Sequence, residues 1–328
     1  MADDISGGQI GLIALAEIQA ARRRIAPYVT QTPVVAMSGS GLRLKAESLH
    51  PIGAFKIRGA FNAILGLDDA ARAAGVVAHS SGNHAQAIAC AAATLGVRAI
   101  LVMPSDAPAV KVAGVRRWGA EIIVAPPASA ERAAMARTIA AERGMNLIPP
   151  FDHEAIMAGT GTIGLEILEQ APDVETVFAP VSGGGLLGGL AAAIKLAAPN
   201  VRVIGVEPEL AADANLSFAA GHIVTITAED AARTMSDGLR VQQLGVLTWP
   251  HIHAFVDEII TVSEDQTAEA MRRIAAEARL VAEPSGAVAA AGALVHGADP
   301  ARSVAILSGG NVDPAVFAAI LSANHPAP

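Results

Sequence analysis

Cysteine is nearly absent from this chain: Cys90 stands alone among 328 residues. One thiol closes no internal disulfide, which excludes a disulfide-framed secreted scaffold. Its setting in an alanine-rich helical run predicts a buried, inert side chain in a reducing compartment. Aromatic residues are few, at 3%, and charged residues make up only 16% against 52% hydrophobic. That balance excludes an intrinsically disordered chain, and the richness in Ala and Gly predicts helices lying close to strands. Positive charge is short. Lys and Arg number 23 against 31 acids, a formal net charge of −8, so no basic face for nucleic acid or an anionic membrane is expected. No stretch reaches about eighteen apolar residues without a charge or turn signal, so no transmembrane helix is expected. The opening Met1-Ala2-Asp3-Asp4 has neither the basic n-region nor the apolar core of a secretory signal. A soluble cytoplasmic protein with a small-molecule partner is expected.

What is present is alternation. Short β-branched runs at residues 75–79, 98–103, 121–124, 176–181, 201–206 and 303–307 are separated by alanine-rich helical stretches at 84–95, 111–119 and 130–143, with one more helix between 181 and 201. Buried strands alternating with helices of this length predict an α/β fold built on open, mostly parallel sheets with helices on both faces. The length allows two domains. The repeated units at 74–148 predict a small α/β domain, with 1–68 and 152–328 forming a larger, discontinuous one. About fifteen residues follow the last motif, so no appended C-terminal regulatory domain is expected.

Lysine is scarce too, at four (Lys45, Lys56, Lys111, Lys195) against nineteen arginines. Lys56 sits in the apolar, glycine-flanked stretch Pro51-Ile52-Gly53-Ala54-Phe55-Lys56-Ile57-Arg58-Gly59. Burial can neutralise an amine and make it a nucleophile toward a carbonyl, which no guanidinium can become; a snorkelling helix lysine is the plainer alternative. Ligands of open α/β sheets bind at the carboxyl ends of strands, so the loops there matter most. Ser182-Gly183-Gly184-Gly185-Leu186-Leu187-Gly188 lies between a strand and a helix, where side-chain-free backbone N–H groups can cradle a phosphate. The same glycines, with Glu207 about twenty residues on, also satisfy a dinucleotide fingerprint, so an NAD(P)-dependent oxidoreductase is an alternative. Ser80-Ser81-Gly82-Asn83-His84 and Leu307-Ser308-Gly309-Gly310-Asn311 are two more loops of the same kind. Asp152-His153-Glu154 predicts a helix N-cap with first-turn acids, and His251 and His253 predict surface histidines.

Taken in order, Ala-Phe-Lys-Ile-Arg-Gly-Ala, Ser-Ser-Gly-Asn-His, Ser-Gly-Gly-Gly-Leu and Ser-Gly-Gly-Asn-Val-Asp resemble the fold type II pyridoxal-phosphate enzymes, in the serine/threonine dehydratase and serine racemase branch. The resemblance runs from about Ile18 to Asp313 and implies two open twisted α/β domains, tryptophan synthase β-like, with the cofactor between them. It implies Lys56 as the Schiff-base lysine that also moves the Cα proton, and Phe55 beside the cofactor. It implies Asn83 on the ring oxygen, the backbone of Gly183, Gly184, Gly185 and Leu186 on the phosphate, and Ser308 at the ring nitrogen, with Gly309 also binding the cofactor. Glu283 matches a glutamate on the cofactor side, and Asp237 a structural acid nearby.

The implied reaction is β-elimination of water from L-threonine, L-serine or a close β-hydroxy amino acid. The alternatives are an L-threo-3-hydroxyaspartate dehydratase or a serine racemase. Ser80, Ser81, Asn83 and His84 would receive the substrate carboxylate, and Ser81 would be the second proton carrier of a racemase. Arg132 would grip a second carboxylate if it points inward; a solvated position on its helix is the plainer expectation. Val241 stands where racemases tend to carry serine. Glu207, the Ala211 carbonyl and Asp213 match a divalent-cation site for Mg²⁺ or Ca²⁺, with an acidic helix start as the alternative. A homodimer is the family expectation.

Overall fold

A computed structural model of the chain describes residues 11–323, apart from Ser81, Pro108, Pro127 and Ala128. Among the described residues ten strands form two sheets. The first is ordered β1-β2-β10-β7-β8-β9 and uses β1 (Val34–Ala36), β2 (Arg43–Ala46), β7 (Thr176–Pro180), β8 (Arg202–Pro208), β9 (Glu258–Val262) and β10 (Ser303–Leu307). Only β1 runs antiparallel to its neighbour; the other pairings are parallel. The second sheet, β5-β4-β3-β6, is wholly parallel, from β3 (Val76–His79), β4 (Ala99–Pro104), β5 (Glu121–Ala125) and β6 (Asn146–Leu147). Every residue of β4, β7 and β10 is buried, as expected of strands covered by helices on both faces.

The helices up to residue 170 are α1 (Leu15–Ile25), α2 (Lys56–Leu65), α3 (Asp69–Ala74), α4 (Asn83–Leu95), α5 (Ala109–Arg116), α6 (Ser129–Arg143) and α7 (Glu154–Gln170). Then come α8 (Gly185–Ala197), α9 (Asp213–Ala220), α10 (Ala228–Ala232), α11 (Thr248–Phe255), α12 (Glu264–Arg273), α13 (Pro284–Val295) and α14 (Pro314–Ser322). Local sequence explains several of their ends. Gly96, at φ 67°, stops α4 in the left-handed conformation. Ser263 and Gln266 form a capping box at the start of α12, and Pro284 opens α13 at its first position. Among the described residues no helix is long and apolar enough to cross a membrane.

Glycines let α7 touch two helices backbone to backbone. A Cβ on Gly159 would lie 2.7 Å from the Arg58 carbonyl of α2, and one on Gly189 of α8 only 2.1 Å from the Met157 carbonyl. Either contact is closer than real Cβ atoms come, so alanine there would push the helices apart. This packing sets the first residue of α2, Lys56, beside the glycine loop that opens α8.

A buried ionic cluster anchors the same turn of α2. Arg58 Nε and Nη2 donate to the two oxygens of Glu47 at 2.7 and 2.8 Å. Nη1 and Nη2 donate to the two oxygens of Glu166 at 2.7 and 2.8 Å, and Nη1 to Thr162 Oγ1 at 3.1 Å. All five guanidinium N–H groups are therefore satisfied. Lys45 Nζ joins Glu166 at 2.5 Å, and His50 Nε2 lies 3.0 Å from Glu47. Burial opposes the Glu47 carboxylate, yet the Arg58 charge and His50 hold it well below the usual carboxylate range.

Candidate active site

The three glycine- and serine-rich loops follow β3, β7 and β10, and together with the start of α2 they line one cavity of roughly 650 Å³. Lys56 lies on its wall. Its Nζ donates to the Pro150 carbonyl at 2.7 Å and sits 5.0 Å from the centre of the Phe55 ring. Enclosure away from water pushes the amine down to about 8. At neutral pH a useful fraction is therefore uncharged, as an amine that attacks a carbonyl requires.

The segment carrying Lys56 is tied to the third loop. Ala54 bridges Gly309, and the Phe55 amide donates to the Ser308 carbonyl at 3.0 Å. Ser308 is nearly buried on the cavity wall, its hydroxyl 3.4 Å from the Ser285 carbonyl. A Cβ on Gly309 would lie 2.0 Å from Glu283 Oε1, so the loop passes that acid only because it has no side chain there. Asn83, at the start of α4, donates from Nδ2 to Glu283 at 2.6 Å and accepts from Asn311 Nδ2 at 2.8 Å. Burial pushes Glu283 up to about 7, against the pull of Lys111. Lys111 reaches from α5 to pair with Asp237, and both line the cavity.

The glycine loop fits a phosphate. Gly183, Gly184, Gly185 and Leu186 line the cavity at the start of α8, and Gly184 takes φ 91°, the left-handed region that favours glycine. Among the described residues the amides of Gly184, Gly185 and Leu186 find no protein acceptor, which is the condition of a helix N-terminus open to an anion. Phe151 closes the loop from below: a Cβ on Gly183 would lie 2.4 Å from its ring. Sequence reasoning passed over Phe151, since an aromatic residue before a helix carries no motif.

Several expectations change. Arg132, expected in solvent, is half-buried and lines the cavity. His84 is buried with Nε2 3.0 Å from the Ile148 carbonyl; burial and the Lys56 charge push it down to about 3, so it is a neutral ring. His251 is not a surface histidine. It is buried, its Nε2 accepting from the Ile13 amide at 2.9 Å and its Nδ1 2.8 Å from the Leu247 carbonyl. The N-cap of α7 is His153, whose ring accepts from the Ala155 amide at 3.1 Å. Asp152 turns instead to α11. Ser80 lines the cavity, whereas Ser81 lies outside the described residues.

Glu207 is fully buried away from the cavity, where it accepts the amides of Ala214 and Asn215 at 3.2 and 2.9 Å. That position removes the ribose-binding role that the dinucleotide alternative required. Ala211 and Asp213 are buried with it, and the two Asp213 carboxylate oxygens have no hydrogen-bond partner among the described residues. A buried carboxylate with two orphaned oxygens beside a second buried carboxyl is a donor set that a hard cation satisfies.

Comparison with known proteins bears on the whole chain. A family model described as pyridoxal-phosphate dependent enzyme matches residues 25–309. The chain is 42% identical over 316 residues to the L-threo-3-hydroxyaspartate ammonia-lyase of Saccharomyces cerevisiae, covering 94% of this chain and 96% of that protein. It is 39% identical over 309 residues to the L-threonine ammonia-lyase of Thermotoga maritima, covering 92% and 76%. The solved structure of maize serine racemase matches with a TM-score of 0.89 at 38% identity, over 94% of this chain and 97% of that one.

Proposed function

The chain belongs to the pyridoxal-phosphate-dependent enzyme family, in its fold type II branch, and is a lyase of the dehydratase class; from that premise we propose that its substrate is a β-hydroxy amino acid with a second carboxylate, 3-hydroxyaspartate. The observation that carries this is Arg132, brought from α6 to the wall of the cavity that Lys56 and the glycine loop share. A guanidinium there can take a β-carboxylate in a bidentate pair. Val241 on the same wall supports a second reading, L-threonine, whose methyl group it would contact.

Pyridoxal phosphate, when bound, supplies the sink for the electrons of the broken Cα–H bond. In this reading Lys56 Nζ would hold the cofactor and would then carry the Cα proton, its amine already lowered by burial. The glycine-loop amides would hold the phosphate, the Ser308 hydroxyl would serve the ring nitrogen, and Asn83 the ring oxygen. A serine, unlike an aspartate, does not keep the ring nitrogen protonated, which suits prompt loss of the β-hydroxyl. Ser80 and the amides at the start of α4 receive the α-carboxylate. The substrate loses a proton and hydroxide, and the released enamine hydrolyses to a 2-oxo acid and ammonia. Domains at 1–68 with 152–328 and at 74–148, the cytoplasmic location and the homodimer belong to the same proposal. The single buried Cys90 supports the compartment, and the resemblance alone supports the dimer.

Release of 2-oxo acid from L-threo-3-hydroxyaspartate, L-threonine and L-serine tests the substrate. Arg132→Ala is expected to lower kcat/KM for hydroxyaspartate by about 10- to 100-fold, the worth of a charge-assisted pair, and to leave L-threonine within about threefold. If L-threonine is the best substrate and Arg132→Ala treats all three alike, the dicarboxylate reading is wrong.

Glu207, the Ala211 carbonyl and Asp213 are proposed to hold Mg²⁺ or Ca²⁺, supported by the orphaned Asp213 oxygens. Millimolar Mg²⁺ is then expected to raise the melting temperature by a few degrees, and Asp213→Asn to abolish that rise. An identical rise in the variant would place the cation elsewhere.

A further inference from the structure

Asp152 and Thr248 play no part in the reaction described, yet they converge on the back of the glycine loop. The Asp152 carboxylate accepts three successive amides at the start of α11: Val246 at 3.1 Å, Leu247 at 2.7 Å and Thr248 at 3.2 Å. An acid from a distant segment thus caps this helix, which lacks a capping side chain of its own. The cap fixes where Thr248 stands. Its buried hydroxyl lies 2.7 Å from the Gly183 carbonyl and 3.2 Å from the Gly245 carbonyl, so its single proton goes to the nearer oxygen. The Gly245 amide donates to the same Gly183 oxygen at 3.1 Å.

Two donors therefore turn the Gly183 carbonyl toward α11. The peptide bond is planar and trans, so the N–H of Gly184 must point the opposite way, toward the cavity. A carbonyl that accepts two hydrogen bonds also polarises its peptide and makes that N–H a stronger donor. The left-handed Gly184 completes the arrangement, since a Cβ there would lie 2.7 Å from Thr248 Oγ1.

We infer that Asp152 and Thr248 are positioning residues for the cofactor phosphate: by holding the Gly183 carbonyl they aim the Gly184 amide before the phosphate arrives. The inference rests on the family's cofactor and not on the choice of substrate. A preset donor loses no orientational freedom on binding, so removing the restraint lowers affinity at the phosphate and nowhere else on the ligand.

The test is cofactor retention by the holoenzyme. Thr248→Val keeps the shape of the side chain and removes the donor; Thr248→Ser restores it. Cofactor release after dilution is followed by gel filtration and absorbance, and each protein is also stripped and reloaded with pyridoxal, which lacks the phosphate. Thr248→Val is expected to release pyridoxal phosphate about tenfold faster than the parent, the worth of roughly one hydrogen bond, and to hold pyridoxal as the parent does. Thr248→Ser is expected to match the parent with both ligands. Should valine not be accommodated, Thr248→Ala gives the same comparison. Unchanged release of pyridoxal phosphate, or an equal loss of both ligands, would overturn the assignment, because a general structural defect does not single out the phosphate.

Discussion

Lys56→Ala is expected to abolish 2-oxo acid formation, by roughly three orders of magnitude or more, because one amine both holds the cofactor and carries the Cα proton. The same variant is expected to lose the yellow colour of lysine-bound cofactor, and its far-UV circular dichroism to stay that of the parent, since among the described residues the Lys56 amine makes a single hydrogen bond, to the Pro150 carbonyl. Colour and turnover both surviving would mean that another group does this chemistry. The pH dependence follows from burial. The folded amine titrates at about 8, below an ordinary lysine, and only its neutral form attacks an aldehyde. The rate at which stripped protein recaptures pyridoxal phosphate is therefore expected to rise with pH and level off above about 8. A rise that continues to pH 10 would show an amine of ordinary basicity.

Arg58→Met is expected to be the most destabilising single change, at about 3–5 kcal/mol, because it leaves the Glu47 and Glu166 carboxylates buried without their main partner. Its melting temperature is expected to fall by about 10 °C. A fall of less than about 2 °C would mean that the site relaxes or admits water. The cluster also sets an acid limit. Glu47 is held well below its unfolded value, so it contributes stability that is complete above pH of about 4.5 and lost as pH falls toward the folded value. The difference in melting temperature between the parent and Glu47→Gln is accordingly expected to shrink on acidification. A difference that stays constant from neutral pH down to about 3 would remove Glu47 from the acid response.

Much of this was legible along the chain. A lysine in an apolar, glycine-flanked stretch and three glycine-serine loops after β-branched runs are local features, and each lies where its own neighbours place it. Residue type limits what these segments can do: only glycine allows Gly184 its left-handed turn, and only an amine can be tuned by burial. The errors were of another kind. Asp152 looked like the cap of the helix that follows it, and caps one about 95 residues away. His251 looked exposed and accepts from Ile13, 238 positions earlier. Arg132 looked solvated and lines the cavity.

The sequence by itself determined the alternation of strand and helix, the loops able to bind an anion, and the family. Tertiary structure alone decided the partners: Arg58 with Glu166, 108 residues on, Lys111 with Asp237, 126 on, and Thr248 with Gly183. The physical reason is that secondary structure and turns follow from interactions a few residues long. A side-chain donor, by contrast, is satisfied by whichever acceptor the fold brings within about 3 Å, and nothing in its local sequence names that acceptor.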